Sequence, residues 1–177
     1  MNIIVTVDEN WAIGSKDKLL VQIPGDQRNL QQLTMGGVMI LGRRTMQAMP
    51  QGQPLYGRET IVLSENPDFK VKGATIVSSI AELKEALQKK NTEKVYVCGG
   101  ESVYKQLLPE CDTVYVTMIE KAYAADRYFE NLDKSPEWAM TEESDEQTYF
   151  DLTYYFRKYE RIKGESGRLT GESVDFY

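Results

Sequence analysis

The chain has 177 residues, a formal net charge of -6 and no histidine. Without imidazole there is no Ser-His-Asp or Cys-His nucleophile pair and no zinc site of the usual His-containing kinds, so acid–base work falls to Asp, Glu, Tyr, Lys or Cys. The acidic balance argues against a broad basic face for nucleic acid.

The length fits one domain that buries its own core without staples. No apolar run approaches the ~18 residues of a membrane-spanning helix. Met1-Asn2-Ile3-Ile4-Val5 lacks the basic start of a signal peptide. Cys98 and Cys111 are unpatterned and read as reduced, small buried residues, which predicts a cytoplasmic protein.

Strand-length apolar runs, mostly continuous and rich in Val and Ile, cover residues 3–7, 38–41, 60–63, 74–77, 95–98 and 113–119. Such runs predict strands buried on both faces. Helical patterns lie between them, over 26–33, 79–90 and 101–108. The second carries a Ser79 cap with Glu82 three residues on; the third stops at Pro109. The alternation predicts a largely parallel α/β sheet. After Thr113 it ends. Residues 149–159 read as a strand with Phe150, Leu152, Tyr154 and Phe156 on the buried face, pairing antiparallel with 113–119 at an edge of the sheet. The polar stretch 130–145 has Trp138 and Met140 as expected anchors. Residues 163–177 are Gly-, Ser- and Glu-rich and read as a flexible tail, leaving 1–162 as the domain.

Five segments could carry chemistry. Asp26 follows Ile23-Pro24-Gly25, where an acid's default use is capping a helix. Gly42-Arg43-Arg44-Thr45 opens a short helix after a buried strand and offers backbone N–H groups with two guanidiniums to an anion. Arg58 precedes a buried strand and could grip a carboxylate or simply sit in solvent. Gly99-Gly100 after a strand lets a phosphate or flat ring approach the backbone. Thr117 lies inside a buried strand, where its hydroxyl needs a partner, by default a backbone carbonyl.

In this order and spacing the segments resemble the dihydrofolate reductase family, in its single-domain bacterial chromosomal form. The resemblance runs from Asn2 to about Arg161. It includes Asp8-Glu9-Asn10, Ile13-Gly14, Ile23-Pro24-Gly25-Asp26 and Leu33-Thr34-Met35-Gly36. It continues through Gly42-Arg43-Arg44-Thr45, Pro54-Leu55-Tyr56-Gly57-Arg58, Gly99-Gly100, Val103-Tyr104, Leu107-Leu108-Pro109 and Tyr115-Val116-Thr117. It implies an eight-stranded, mostly parallel sheet with a C-terminal antiparallel strand and about four flanking helices.

It also implies NADPH-dependent hydride transfer to C6 of dihydrofolate with protonation at N5, by a cytoplasmic monomer that binds antifolates, needs no metal and has neither nucleic-acid nor membrane partners. Asp26 is then the ionisable group of the pterin pocket, and Thr117 bonds it. Gln27 follows the acid in the substrate site. Ile4, Val5, Leu30, Met49 and Leu55 form the apolar wall, and Arg58 takes the substrate's glutamate α-carboxylate. Cys98 and Tyr104 border the nicotinamide, and Leu19 sits in a loop that closes over it. Arg43, Arg44, Thr45 and Ser64 contact the cofactor phosphates. Thr6, Ile13, Gly14, Gly42, Leu63, Glu65, Gly99, Gly100, Glu101, Ser102 and Val103 complete the cofactor site. Asp126 matches an acid that pairs with the closing loop in some members.

Val21 stands where many members have tryptophan, Leu30 replaces a frequent aromatic, and Arg44 replaces the usual histidine. Two rival readings are a same-fold reductase of riboflavin synthesis, against which Asp26, Thr117 and Arg58 argue, and a non-catalytic pteridine- or nucleotide-binding module, against which Asp26 argues.

Overall fold

A computed structural model describes residues 1–16 and 18–162; the expected tail at 163–177 lies outside the described residues. Among the described residues the chain forms twelve strands: β1 (Asn2–Asp8), β2 (Ala12–Ser15), β3 (Lys18–Leu19), β4 (Val38–Gly42), β5 (Glu59–Leu63), β6 (Ala74–Val77), β7 (Val95–Val97), β8 (Thr113–Ile119), β9 (Arg127–Tyr128), β10 (Trp138–Glu143), β11 (Gln147–Tyr149) and β12 (Leu152–Arg161). Four α-helices accompany them: α1 (Pro24–Thr34), α2 (Arg43–Gln47), α3 (Ile80–Leu87) and α4 (Glu101–Leu107).

The main sheet runs β10-β12-β8-β1-β7-β4-β5-β6, with short β11 on β12. From β8 through β6 every pairing is parallel, and β12 joins β8 antiparallel. The Val- and Ile-rich runs form these central strands because both sheet faces are covered. On one face Ile3, Val5 and Val7 of β1 pack with Leu83, Leu87 and Leu107 of the helices. On the other, Met39, Leu41, Met46 and Val62 form a second core.

Local signals set the helix ends. Pro24 occupies the first turn of α1, where its missing N–H is no loss. Ser79 accepts the Glu82 N–H at 3.1 Å and caps α3. Asp8, fully buried at the end of β1, accepts N–H bonds from Asn10 (2.8 Å) and Ala12 (2.9 Å) on one oxygen and from Tyr123 (2.8 Å) on the other. It thereby ties the first turn to the loop after β8.

Four expectations need correction. Residues 149–159 are not one strand: Phe150 has φ 55° in a turn and is 88 % exposed, so it does not share the buried face of Leu152 and Tyr154. The polar stretch 130–145 contains strand β10, which covers β12, so β12 is not the sheet edge. Trp138 is buried there, but Met140 is exposed because its strand faces solvent. A second small sheet, β3-β2-β9, has no counterpart among the expected elements; its strands are too short to show periodicity.

Candidate active site

The parallel strands β1, β7, β4 and β5 deliver their carboxyl ends to one side of the sheet, where open α/β folds present their crevices. Helix α1 borders that crevice. Its anchor is Ile23, buried with Ile119, Leu152 and Tyr154, while Val21 packs against the same group. This seating carries Asp26, in the first turn of α1, over β1 and β8. The helix start has no side-chain cap, so capping is not what Asp26 does.

Instead its carboxylate turns to the sheet. Thr117 Oγ1 donates to Asp26 Oδ1 at 2.6 Å, and the Thr6 hydroxyl donates to Oδ2. Thr117 therefore finds a carboxylate rather than the default carbonyl. Burial raises the Asp26 pKa above its ordinary value, and the two hydroxyls, which favour the charged form, oppose that rise only in part. Nothing in the sequence pattern links Thr6 to Asp26. The signal is topological: Thr6 and Thr117 are register partners on adjacent parallel strands.

An apolar wall stands beside the acid. Leu30, Met49, Leu55 and Cys98 all pack, partly exposed, against Met39, Leu41, Met46 and Val62. Ile4 is buried on β1. Val5 packs in the opposite core with Ile3 and Val7, so by strand alternation it borders the crevice through its backbone alone. Gln27 is exposed on α1. At the far end of α1, Arg58 donates from Nε to Thr34 Oγ1 (3.0 Å), from one terminal nitrogen to the Gln31 carbonyl (2.5 Å) and from the other to the Tyr56 carbonyl. These bonds fix the guanidinium at the rim.

The glycines make a narrow cradle on the other side. Gly42 N–H donates to the Gly99 carbonyl at 2.8 Å, tying the ends of β4 and β7 together. Gly99, at φ +121°, occupies a conformation that other residues avoid, and the Gly99–Gly100 peptide is cis. A Cβ on Gly42 would lie 3.1 Å from Val103, and one on either Gly99 or Gly100 would lie 3.6 Å from the Thr45 hydroxyl. Leu63 pairs with Gly42, and buried Ser64 follows, its hydroxyl accepting the Asn66 N–H at 3.2 Å. Arg43 is half-buried at the start of α2, Arg44 is exposed, and Glu65 and Ser102 are exposed.

Tyr104 donates its hydroxyl to the Ile4 carbonyl at 2.7 Å, and burial pushes its pKa well up, so it stays protonated. Burial pushes the Cys98 thiol up to about 12, which leaves it an unreactive thiol. Ile13 and Gly14 lie buried on β2, which pairs with β3 and its exposed Leu19. Asp126 joins this flap twice: its N–H donates to Gly14 O at 3.1 Å, and its carboxylate accepts the Lys16 N–H at 3.2 Å. Glu101, at the start of α4, accepts the Tyr128 N–H at 2.8 Å.

Fold and site thus define an α/β enzyme with a half-buried acid held by threonines of two parallel strands and a glycine pair at the end of a third. The dihydrofolate reductase family model matches residues 1–161. The dihydrofolate reductase of Bacillus subtilis is 31 % identical over 165 residues, 91 % of this chain and 94 % of that protein. That of Staphylococcus haemolyticus is 33 % identical over 166 residues, 92 % and 96 % of the two chains. The solved dihydrofolate reductase from Enterococcus faecalis, complexed with NADP(H) and RAB-propyl, matches with a TM-score of 0.80 at 30 % identity, covering 92 % of this chain and 96 % of its own. The chain belongs to the dihydrofolate reductase family.

Proposed function

We propose that this enzyme reduces 7,8-dihydrofolate to 5,6,7,8-tetrahydrofolate with NADPH, delivering hydride to C6 and a proton to N5, in support of one-carbon metabolism. The observation that carries the reading is Asp26: an acid with a raised pKa, held by the hydroxyls of Thr117 and Thr6 and followed one turn later on α1 by Leu30 of the apolar wall. The membership of the family favours this activity over the riboflavin-pathway and non-catalytic alternatives.

The residues present fit a dinucleotide. A Cβ at Gly100 would meet only the Thr45 hydroxyl, at 3.6 Å, so the backbone there can take a flat ring or a phosphate close by, while Gly42 and Gly99 are packed against Val103 and Tyr104 and let the two strand ends approach each other. Arg43, Arg44, Thr45 and Ser64 would hold the phosphates, and two arginines favour the extra phosphate of NADPH over NADH. When bound, the cofactor supplies the hydride.

The remaining tasks belong to the chain. An ionised Asp26 accepts two parallel N–H bonds from the aminopyrimidine edge of the pterin, and its raised pKa lets it retain a proton closer to neutrality. Thr117 holds its orientation and helps order the proton-bearing water. Ile4, Leu30, Met49 and Leu55 exclude solvent around the rings, and Arg58 takes the glutamate carboxylate at the rim. Leu19, on the flap held by Asp126, closes over the hydride path and keeps water out. Among the described residues no helix is long and apolar enough to cross a membrane; we place the enzyme in the cytoplasm as a monomer that also binds antifolates.

The test is a steady-state assay of purified enzyme with dihydrofolate and either NADPH or NADH. Dihydrofolate-dependent oxidation of NADPH, with tetrahydrofolate as product and NADH a poorer donor, is expected. No oxidation dependent on dihydrofolate would overturn the reading.

A further inference from the structure

Asp26 is gripped from two strands rather than one. Thr6 on β1 and Thr117 on β8 are register partners, so their side chains leave the same sheet face on strands about 4.8 Å apart. The Thr6 hydroxyl donates to Oδ2, and the Thr117 hydroxyl donates to Oδ1 at 2.6 Å. An ionised carboxylate has about four lone-pair sites, two on each oxygen. One hydroxyl on each oxygen leaves one site on each for a ligand. A single hydroxyl would leave the carboxylate free to swing about its Cβ–Cγ bond, whereas two on opposite oxygens set its plane.

We propose that Thr6 is a positioning residue for the reduction: together with Thr117 it fixes the plane of the Asp26 carboxylate so that both open lone pairs meet a planar pair of substrate N–H groups. The proposal rests on the reading of Asp26 as the substrate-binding acid. It gives Thr6 a task separate from the cofactor contact that the family resemblance implies.

Thr6 also affects titration. The groups that face Asp26 are Tyr154 from β12 and Tyr104 from α4, with Cys98 beyond Tyr104 at the end of β7 and Arg28 beside Tyr154 on α1. Burial pushes both tyrosines and the thiol upward, so they stay neutral while Asp26 titrates. The two threonine hydroxyls are the donors that favour the ionised form.

The experiment uses Thr6→Val, which keeps the β-branched shape and removes the donor, and Thr6→Ser, which keeps the donor. Thr6→Ala, which adds no bulk, should behave as the valine variant does. Three readings are taken on each full-length protein: the Asp26 carboxyl titration by carbon NMR without ligands, the pH dependence of single-turnover dihydrofolate reduction, and the dihydrofolate dissociation constant. Removing the donor should move the carboxyl midpoint up by about one pH unit. The fall in rate toward alkaline pH should move up with it, and dihydrofolate should bind several-fold more weakly. Serine should restore all three. A midpoint in Thr6→Val equal to that of the wild type, or one that serine does not restore, would overturn the proposal. A midpoint that moves while the rate profile stays in place would support the two-strand grip and contradict Asp26 as the acid on which the reaction depends.

Discussion

Thr117 and Asp26 lie 91 positions apart in sequence, yet the Thr117 hydroxyl reaches Asp26 Oδ1 at 2.6 Å. The contact joins the central strand β8 to the first turn of α1, and the crevice is built around it. Its acid lies at an energetic disadvantage when charged, because burial outweighs the help of the two hydroxyls.

That imbalance predicts how stability varies with pH. The folded pKa of Asp26 is raised above the unfolded value of 3.8. The stability it contributes is therefore fully present below that value and is lost as pH rises through the raised folded pKa. Asparagine does not ionise, so Asp26→Asn escapes the loss. Thermal unfolding of both proteins should show the melting temperature of the variant gaining on wild type from about pH 4 to neutrality. A difference independent of pH, or one growing in favour of wild type, would contradict the raised pKa.

Arg44 is exposed in the first turn of α2, and arginine does not titrate between pH 5 and 8. Arg44→His should make NADPH affinity decline relative to wild type as pH rises through about 6.5. Taking the ratio of the two proteins cancels the titration of the ligand's own phosphate. A ratio of dissociation constants that stays flat from pH 5 to 8 would remove Arg44 from the phosphate site.

Asp8 accepts three backbone N–H groups while itself fully buried. Asp8→Ala strands those donors, and a loss of about 3 kcal/mol in unfolding free energy is expected. Urea denaturation measures it. A loss below about 0.5 kcal/mol, the range of ordinary surface substitutions, would show that the three bonds are not what holds the turn.

Much of the fold is legible in the amino-acid sequence. The Val- and Ile-rich runs mark the central parallel strands because burial on both faces erases alternation. Ser79 marks the start of α3 because its capping bond is local. What escapes is either short or decided at long range. Lys18–Leu19 is too brief to show a period, and it is a strand only because Gly14 and Ser15 pair with it. Strand β10 shows little apolar pattern because all of it beyond Trp138 faces solvent. Phe150 fits the alternation of β12 but lies in a turn with positive φ, and no neighbouring residue signals that. For Asp26, local reasoning favours a helix cap. Burial of Ile23 against Ile119, Leu152 and Tyr154 is what seats the acid over Thr6 and Thr117, and sequence spacing does not encode that packing.

The central claim is that Asp26 supplies the acidic function of the reduction. The most direct measurement is single-turnover reduction of dihydrofolate by NADPH with wild type and Asp26→Asn across the pH range, on proteins with matching circular dichroism. A rate lower by about 10²- to 10⁴-fold near neutral pH is expected for the variant. Partial recovery is expected in acid, where solvent protonates the substrate. A variant that turns over at the wild-type rate near pH 7 would contradict the claim.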